Sequence, residues 1–222
     1  MPGPVTHIVF ALAALNTPDC AHFDKQQFVV GTSFPDIRYL GVIKREETHA
    51  PHVTWQDIVT ERSSFLAGMK LHTLVDQARE RFLQKSPLYN LVPDTPLVAK
   101  QLKIVEDSML YRQHKDWKTI TSYFNTITEE ERMFGITDQD IKRWHTFLQK
   151  YLSLQKWHNR LKHFSFWRPA LKLRLKFSRK LPLKKETVNR LIDTTGKLEK
   201  DTQITTILQT FYNSFLKFLS RL

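Results

Sequence analysis

Apolar residues recur with helical spacing along most of the chain, and this pattern predicts an all-α protein. Residues 7–16 are apolar on nearly every face, which is typical of a helix buried in a core. The longest amphipathic pattern covers residues 55–85. Later helices are predicted over 97–114, 116–127, 137–157 and 187–222, the last with a break at Gly196. Residues 171–177 alternate with period two as a strand does, but one such run without a partner makes no sheet.

The long pattern contains a pair of polar side chains suited to binding a metal ion. His72 and Asp76 are four residues apart, so on a helix they project from one face. Imidazole nitrogen and carboxylate oxygen are both zinc ligands. Gly68, one turn before His72, is expected to leave open space beside the imidazole. Such a pair is also common as a surface ion pair, so it needs further candidate ligands.

Three more candidates precede this pair, each on a separate element. His7 begins the buried first helix, where a polar ring needs a partner. Asp36 follows a turn at Pro35, and His49 lies in a polar loop over residues 44–52. Mixed histidine and aspartate ligands from several helices suit a hydrolytic zinc site, since a carboxylate can bridge two ions. We therefore predict a metal cleft formed by His7, Asp36, His49, His72 and Asp76.

The order of these residues resembles the zinc-dependent phospholipase C family. The matching segments begin at Pro4, at Phe28 and at Glu47, and the last runs from Phe65 to Asp76, so the likeness covers about residues 4–85. The resemblance implies a helical fold, a zinc cleft and cleavage of phospholipid phosphodiesters. A related branch of the same fold cleaves single-stranded nucleic acid.

The resemblance also implies a role for each ligand. Asp36, His49, His72 and Asp76 would hold one zinc ion, and His7 would hold a second that Asp76 bridges. Asp36 would act as the catalytic base or orient the attacking water. The family has a later histidine and a His-x-x-x-Glu pair, for which Glu106, Asp107 and His114 are substitutes expected to face solvent. This chain is therefore expected to bind one or two zinc ions, not three.

Charge divides the chain into two parts. Of the 222 residues with net charge +12, residues 1–150 carry 18 basic and 18 acidic side chains, and residues 151–222 carry 16 and 4. We expect a helical metal-binding domain over residues 1–155 and a basic helical extension over 156–222 packed on or beside it. The single cysteine, Cys20, rules out an intramolecular disulfide.

The basic extension is expected to meet an anionic surface. Its aromatic and basic side chains suit the headgroup region of a membrane, and they also suit phosphates and unpaired bases of nucleic acid. Packing of the aromatic residues onto the main domain is the simpler alternative. The candidate anion-binding residues are Lys162, Arg168, Lys172, Arg174, Lys176, Arg179 and Lys180.

These features give one leading hypothesis and two alternatives. The leading one is a zinc-dependent phosphodiester hydrolase acting on phospholipid. The first alternative is an inactive helical interaction protein that binds anionic membranes or a partner through its basic region. The second is a metal-dependent nuclease. Without a Sec-type leader or an apolar run of eighteen residues, the chain is expected to be soluble, either cytoplasmic or peripheral at a membrane.

Overall fold

The computed structural model describes residues 2–92, 98–153 and 185–221, with side chains in the last range from residue 193 onward. Every regular element in these ranges is helical, which confirms the all-α prediction. Four short 3-10 turns cover Pro18–Cys20, Phe34–Leu40, Arg45–Glu47 and Tyr123–Asn125. The α-helices are α1 (Pro4–Leu15), α2 (Lys25–Ser33), α3 (Trp55–Val59), α4 (Ser64–Lys85), α5 (Leu88–Leu91), α6 (Val98–Tyr111), α7 (Trp117–Ser122), α8 (Glu129–Arg132), α9 (Asp138–Leu152), α10 (Lys185–Lys200) and α11 (Thr202–Leu219).

Helix α1 is buried among α2, α4, α6 and α11, as its apolar pattern predicts. It begins after Gly3, which offers no side-chain cap. Buried Asp107 of α6 supplies the cap instead, because its Oδ1 accepts hydrogen bonds from the backbone N–H and the hydroxyl of Thr6, each at 2.9 Å. This contact fixes the first turn of α1, and with it His7, against α6.

Two glycines allow α2 and α4 to cross in backbone contact. A Cβ atom at Gly31 of α2 would lie 2.0 Å from the carbonyl oxygen of Phe65, and one at Gly68 of α4 would lie 2.2 Å from that of Phe28. Neither position therefore has room for a side chain. The expectation of open space at Gly68 is wrong, because the backbone of α2 fills it. The close crossing places His72, one turn later, against the end of α2.

The prediction of a single helix over residues 55–85 is wrong in one respect, because the structure has two helices there, α3 and α4, with a short non-helical segment between them. The backbone N–H groups of Arg62 and Ser63 donate to the Glu61 carboxylate at 2.8 and 3.2 Å. The hydroxyl of Ser63 then caps α4 by accepting from the N–H of Leu66. These side-chain hydrogen bonds compete with the helical ladder, and the apolar spacing does not reveal them.

The described C-terminal helices pack on the core of the N-terminal part. Phe211 and Phe215 of α11 contact Phe10 of α1, with ring centroids 5.8 and 4.5 Å apart. Leu198 of α10 joins a second apolar cluster with residues of α4, α5, α6 and α11. The break between α10 and α11 falls at Asp201, which caps α11, and not at Gly196 as predicted.

None of the described helices is long and apolar enough to cross a membrane. The strand-like run at 171–177 lies outside the described residues. The same is true of the seven candidate anion-binding residues of the extension: Lys162, Arg168, Lys172, Arg174, Lys176, Arg179 and Lys180.

Candidate metal centre

The imidazole of His72 is held in one orientation by the end of α2. Its Nδ1 lies 2.9 Å from the carbonyl oxygen of Thr32. That carbonyl is in the last turn of α2, where backbone acceptors lack helical partners. A carbonyl only accepts, so Nδ1 carries the proton and Nε2 keeps its lone pair. A histidine fixed in this way by a backbone carbonyl is arranged as a metal ligand usually is.

The loop before α3 holds His49 in the same tautomer as His72, with the proton on Nδ1. The Thr48 hydroxyl donates to the carbonyl of Arg45 at 3.2 Å, which leaves its oxygen to accept from His49 Nδ1 at 2.9 Å. The proton of His49 is therefore on Nδ1, and its Nε2 has a free lone pair. The side chain is buried, with 7% of the residue exposed. A second imidazole is thus ready to bind a cation.

Three of the five predicted ligands, His7, His49 and His72, converge on a fourth, Asp76. Its Oδ2 lies 3.6 Å from His49 Nε2 and 3.8 Å from His72 Nε2, and its Oδ1 lies 3.4 Å from His7 Nε2. Two ligand atoms on one tetrahedral zinc ion, at bond lengths near 2.0–2.1 Å, stand about 3.3 Å apart. The separations found here are close to that value. One carboxylate oxygen therefore faces two imidazoles and the other faces the third.

The rings of His7 and His72 are stacked, with centroids 3.7 Å apart and planes inclined by 10°. Ligand atoms of these two residues and Asp76 lie within 4.8 Å of one another. An imidazole lone pair lies in the plane of its ring, so nearly parallel rings direct their lone pairs along separate, parallel planes. The two histidines are thus oriented towards two ions better than towards one.

Asp36 lies in the 3-10 turn Phe34–Leu40 that directly follows α2, and only 2% of the residue is exposed. Its carboxylate interacts electrostatically with His7, His72 and Asp76. Like His49, however, it lies outside the tight group of ligand atoms formed by His7, His72 and Asp76, and no imidazole lies within ion-pair distance of it among the described contacts. The nearest basic atom given by the ion-pair geometry is Arg38 Nη2, 3.8 Å from Oδ1. Asp36 is thus at the edge of the cluster and not at its centre.

Within the cluster the imidazole–carboxylate distances of 3.4, 3.6 and 3.8 Å are long for hydrogen bonds, so these contacts do not explain its burial. Seven of its buried polar atoms have no hydrogen-bond partner among the described residues: His7 Nδ1 and Nε2, Asp36 Oδ1 and Oδ2, His49 Nε2, His72 Nε2 and Asp76 Oδ1. Each unsatisfied group costs about 1–3 kcal/mol, and a whole domain is stable by only about 5–15 kcal/mol. A bound cation that accepts lone pairs from these atoms would remove most of this cost, so the residues fit a metal ion.

The charges in the pocket favour metal-binding protonation states. Burial disfavours the charged form of Asp76, but His72, His49 and His7 outweigh it and hold the pKa of Asp76 well below its usual value. Burial likewise opposes ionisation of Asp36, yet His72, Lys103 and His7 keep its pKa below the usual value. Burial and the neighbouring His7 lower the pKa of His72 to about 3. Ionised carboxylates therefore face a neutral imidazole near neutral pH.

Sequence reasoning missed three basic residues at the pocket. Arg45 Nη2 lies 3.4 Å from Asp76 Oδ2, and Arg38 Nη2 approaches Asp36. Lys103 of α6 lies near enough to lower the pKa of Asp36. Arg38 and Arg45 lie close to ligand residues in sequence, Arg38 just after Asp36 and Arg45 just before His49, and this proximity is a usable signal. Lys103 arrives from a distant helix and gives no such signal.

The substitutes considered for the family's later ligands are engaged elsewhere. Glu106 is buried and accepts from Arg79 Nε at 2.8 and 2.9 Å, and Asp107 is buried against Thr6 and Tyr151. The expectation that both face solvent is wrong, because each pairs with a polar group on another helix. Half-buried His114 packs against Trp117, with ring centroids 5.0 Å apart. None of the three joins the described metal cluster.

An open cleft of about 320 Å³ adjoins the cluster on the His49 side. Its wall combines acidic residues, Glu46 and Glu47, with the apolar side chains of Met69 and Phe134. Since His49 itself lines the cleft, a molecule bound there lies next to the candidate ligands. The cleft therefore meets the cluster at His49, whose Nε2 is itself buried.

The chain matches no protein-family model, no curated protein and no solved structure. The likeness to the zinc-dependent phospholipase C family thus rests on the motif residues alone.

Proposed function

We propose that the protein is a zinc-dependent phosphodiester hydrolase of the phospholipase C type. The observation that supports this most strongly is the convergence of His7, His49 and His72 on the two oxygens of Asp76, with their facing polar atoms buried and unpaired. Structural ion pairs rarely leave so many buried atoms unsatisfied. The resemblance in motif order supports the same assignment.

The donor set favours zinc among the common biological cations. Three imidazoles with carboxylates form a mixed nitrogen and oxygen set, which suits zinc, whereas magnesium and calcium prefer oxygen alone. In the proposed site, His49, His72, Asp36 and Asp76 hold one ion, and His7 and Asp76 hold the other. The stacked rings of His7 and His72 favour this division into two positions.

The zinc ions would supply a water of lowered pKa and would neutralise negative charge on the phosphoryl oxygens. The chain's own residues fix the geometry of the reaction. The carbonyl of Thr32 and the hydroxyl of Thr48 keep two imidazoles in their binding tautomer. Both carboxylate oxygens of Asp36 lack a hydrogen-bond partner within the described residues, so one of them is available to accept a proton from the attacking water.

The substrate proposed is a phospholipid, and nucleic acid is the competing phosphodiester. The cleft beside His49 has apolar walls at Met69 and Phe134, which suit a lipid or its glyceride part. Aromatic stacking platforms for successive bases are the contrasting feature of single-strand binding. Apart from the proposed ligand His49, Phe134 is the one aromatic side chain among the described residues that line this cleft, and this favours the lipid.

The experiment compares two histidines three residues apart in one loop. His49→Gln removes a proposed ligand, and His52→Gln alters an exposed histidine as the matched control. Zinc per chain is measured by elemental analysis after dialysis, and hydrolysis is measured on bis(p-nitrophenyl) phosphate, phosphatidylcholine vesicles and single-stranded DNA.

The wild type and the control should hold zinc and cleave the first two substrates. His49→Gln should lose activity by more than the roughly 10–100-fold that loss of a residue supporting a metal ligand costs. A wild type that takes up no zinc overturns the proposal. Zinc uptake with turnover of DNA alone would assign the site to a nuclease instead. Zinc uptake without turnover of any substrate would point to the inactive interaction protein.

A further inference from the structure

The most exposed large apolar side chain of the described residues is that of Met133, in the turn that follows α8. It has 80% of the residue exposed, against 37–44% for the other exposed large apolar residues. A single exposed apolar residue is ordinary on a protein surface. Met133 differs because the chain on both sides of it is fixed and because it adjoins the cleft that reaches His49.

The chain ahead of Met133 is anchored to α9. Glu131 is fully buried, and one of its carboxylate oxygens accepts from Nε2 of buried His145 at 2.7 Å. Its other oxygen accepts from the backbone N–H of Thr128 at 2.9 Å. The Thr128 hydroxyl in turn accepts from the N–H of Glu131, which completes the capping box of α8. The position two residues before Met133 is therefore held by three hydrogen bonds.

The chain after Met133 is fixed as well. The ring of Phe134 packs on that of Phe34, with centroids 4.9 Å apart. Gly135 has a φ of 68°, in the left-handed region that favours glycine, and its N–H donates to the carbonyl of Arg132 at 3.0 Å. The exposure of Met133 is thus built into a closed turn.

This turn lies at the cleft described above. Phe134 forms part of the wall of the 320 Å³ cleft that also contains His49, and Met133 is its neighbour in the chain. A phospholipid substrate keeps its acyl chains in a bilayer, so the cleft has to meet a lipid surface before a headgroup enters it. An apolar side chain beside the cleft is placed to enter that surface.

The described wall of the cleft carries a net negative charge. Apart from His49, its ionisable side chains are three carboxylates and one ammonium: Glu46, Glu47, Glu61 and Lys70. Lys70 pairs with Glu61 at 2.6 Å, so exposed Glu46 and Glu47 are in excess.

Helix α8, directly before Met133, is acidic too. Glu129 is exposed and Glu130 is partly exposed, while Arg132 pairs with Glu129 and with Asp138. An anionic lipid surface would be repelled by these groups, whereas the ammonium groups of a zwitterionic headgroup would be attracted. The charges therefore indicate zwitterionic lipid as the molecule that covers Met133.

We propose that Met133 and the turn after α8 form a docking point for a zwitterionic phospholipid surface, with Met133 inserted among the headgroups beside the cleft. The choice of lipid rests on the proposed function, but the contact itself requires no catalysis. The methionine side chain is apolar and adaptable, so it gains from leaving water and fits an irregular headgroup layer. Because the turn is already fixed, little backbone freedom is lost on docking.

The test compares three variants of the full zinc-loaded chain. Met133→Ser removes the apolar side chain, and Met133→Leu keeps an apolar one. Leu91→Ser is the matched control, because Leu91 is also exposed, at 39%, but follows the end of α4 that is remote from the cleft. Binding is measured by sedimentation on ice with vesicles of phosphatidylcholine and, separately, of phosphatidylglycerol. Hydrolysis of soluble bis(p-nitrophenyl) phosphate and light scattering are measured on the same proteins.

Met133→Ser should bind phosphatidylcholine vesicles about tenfold more weakly than the wild type, the effect of keeping a methionine side chain in water. Met133→Leu and Leu91→Ser should bind within about twofold of the wild type, because neither removes apolar surface from the docking point. Binding to phosphatidylglycerol should not depend on Met133. Hydrolysis of the soluble substrate should be unchanged in all three variants, since none alters a proposed ligand.

Three results would overturn the inference. They are a wild type that does not sediment with phosphatidylcholine, a Met133→Ser protein that sediments as the wild type does, and a wild-type dimer that Met133→Ser converts to monomers. The last would assign Met133 to contact with a second copy of the chain.

The outcomes also separate this inference from the proposed function. Hydrolysis of the soluble substrate by a wild type that binds no vesicles would overturn the docking point alone. Sedimentation that depends on Met133, by a wild type that hydrolyses no phosphodiester, would support the docking point and overturn the hydrolase.

Discussion

The substitution Gly68→Ala tests how the helix crossing controls the metal site. The new Cβ would lie 2.2 Å from the carbonyl oxygen of Phe28 and 2.8 Å from the backbone nitrogen of Thr32. Ordinary contact begins at 3.4 Å, so α4 has to move away from α2 by about 1 Å. Both nearest atoms belong to backbone, which cannot turn aside as a side chain can. The change therefore alters the crossing itself.

Two effects oppose each other in the stability of this variant. Alanine is a better helix former than glycine by about 1 kcal/mol. Overpacking a close contact costs about 1–3 kcal/mol, and a backbone clash is at the upper end of that range. We expect a net loss of about 2 kcal/mol in the free energy of unfolding, which lowers Tm by about 4–8 °C for a chain of this size. Urea unfolding of the zinc-free protein measures it.

Zinc affinity is the more specific measurement. Moving α4 lengthens the 2.9 Å contact between His72 Nδ1 and the Thr32 carbonyl, which orients the ring. Loss of such support lowers metal affinity by about 10–100-fold. Ala67→Gly is the matched control, because it loses a buried methyl group and helix propensity, about 2 kcal/mol together, without displacing backbone. Its zinc affinity should remain close to that of the wild type.

The reasoning is refuted by a Gly68→Ala protein that is as stable as the wild type and binds zinc equally well. Equal losses of zinc affinity in Gly68→Ala and Ala67→Gly would also count against it. In that case general destabilisation, and not displacement of His72, would govern the site.

Three further predictions concern other contacts. Thr48→Val should lower zinc affinity by about 10–100-fold, because His49 loses the oxygen that fixes its tautomer, and a chelator competition measures this. Glu131→Gln should cost about 1–3 kcal/mol in urea unfolding, because it alters a buried carboxylate that accepts from His145 Nε2 at 2.7 Å, yet it should leave zinc binding unchanged. Burial raises the pKa of Cys20 from 9.0 to about 11. The folded thiol should therefore resist alkylation at pH 8, and stability should fall between pH 9 and 11 as the unfolded chain alone loses this proton.

The helices whose signals are local could be predicted from sequence. The first helix is apolar on all faces and is indeed buried. The positions at which one helix ends and the next begins were harder to predict, because they depend on single side-chain hydrogen bonds. Asp201 caps the N-terminus of α11 and so marks the boundary with α10. Gly196 lies within α10 despite the low helix propensity of glycine. Apolar spacing carries no information about either choice.

For the candidate site, sequence supplied the side chains but not their geometry. The motif order named five residues, and the structure places three of them, His7, His49 and His72, around Asp76, with Asp36 at the edge. Spacing along the chain could not reveal that Gly31 and Gly68 bring α2 and α4 into backbone contact. Nor could it place Lys103 beside Asp36, since the two are 67 positions apart in the chain.

The same contacts that build the crossing also explain why the site lies where it does. A buried helix end leaves carbonyl groups that need donors, and the last turn of α2 meets this need with the imidazole of His72. The orientation that satisfies the helix end fixes the opposite nitrogen towards Asp76. Removing His72 would therefore cost stability even without any metal. A zinc-free His72→Gln protein less stable than the zinc-free wild type would show that packing and the ligand's orientation depend on one hydrogen bond.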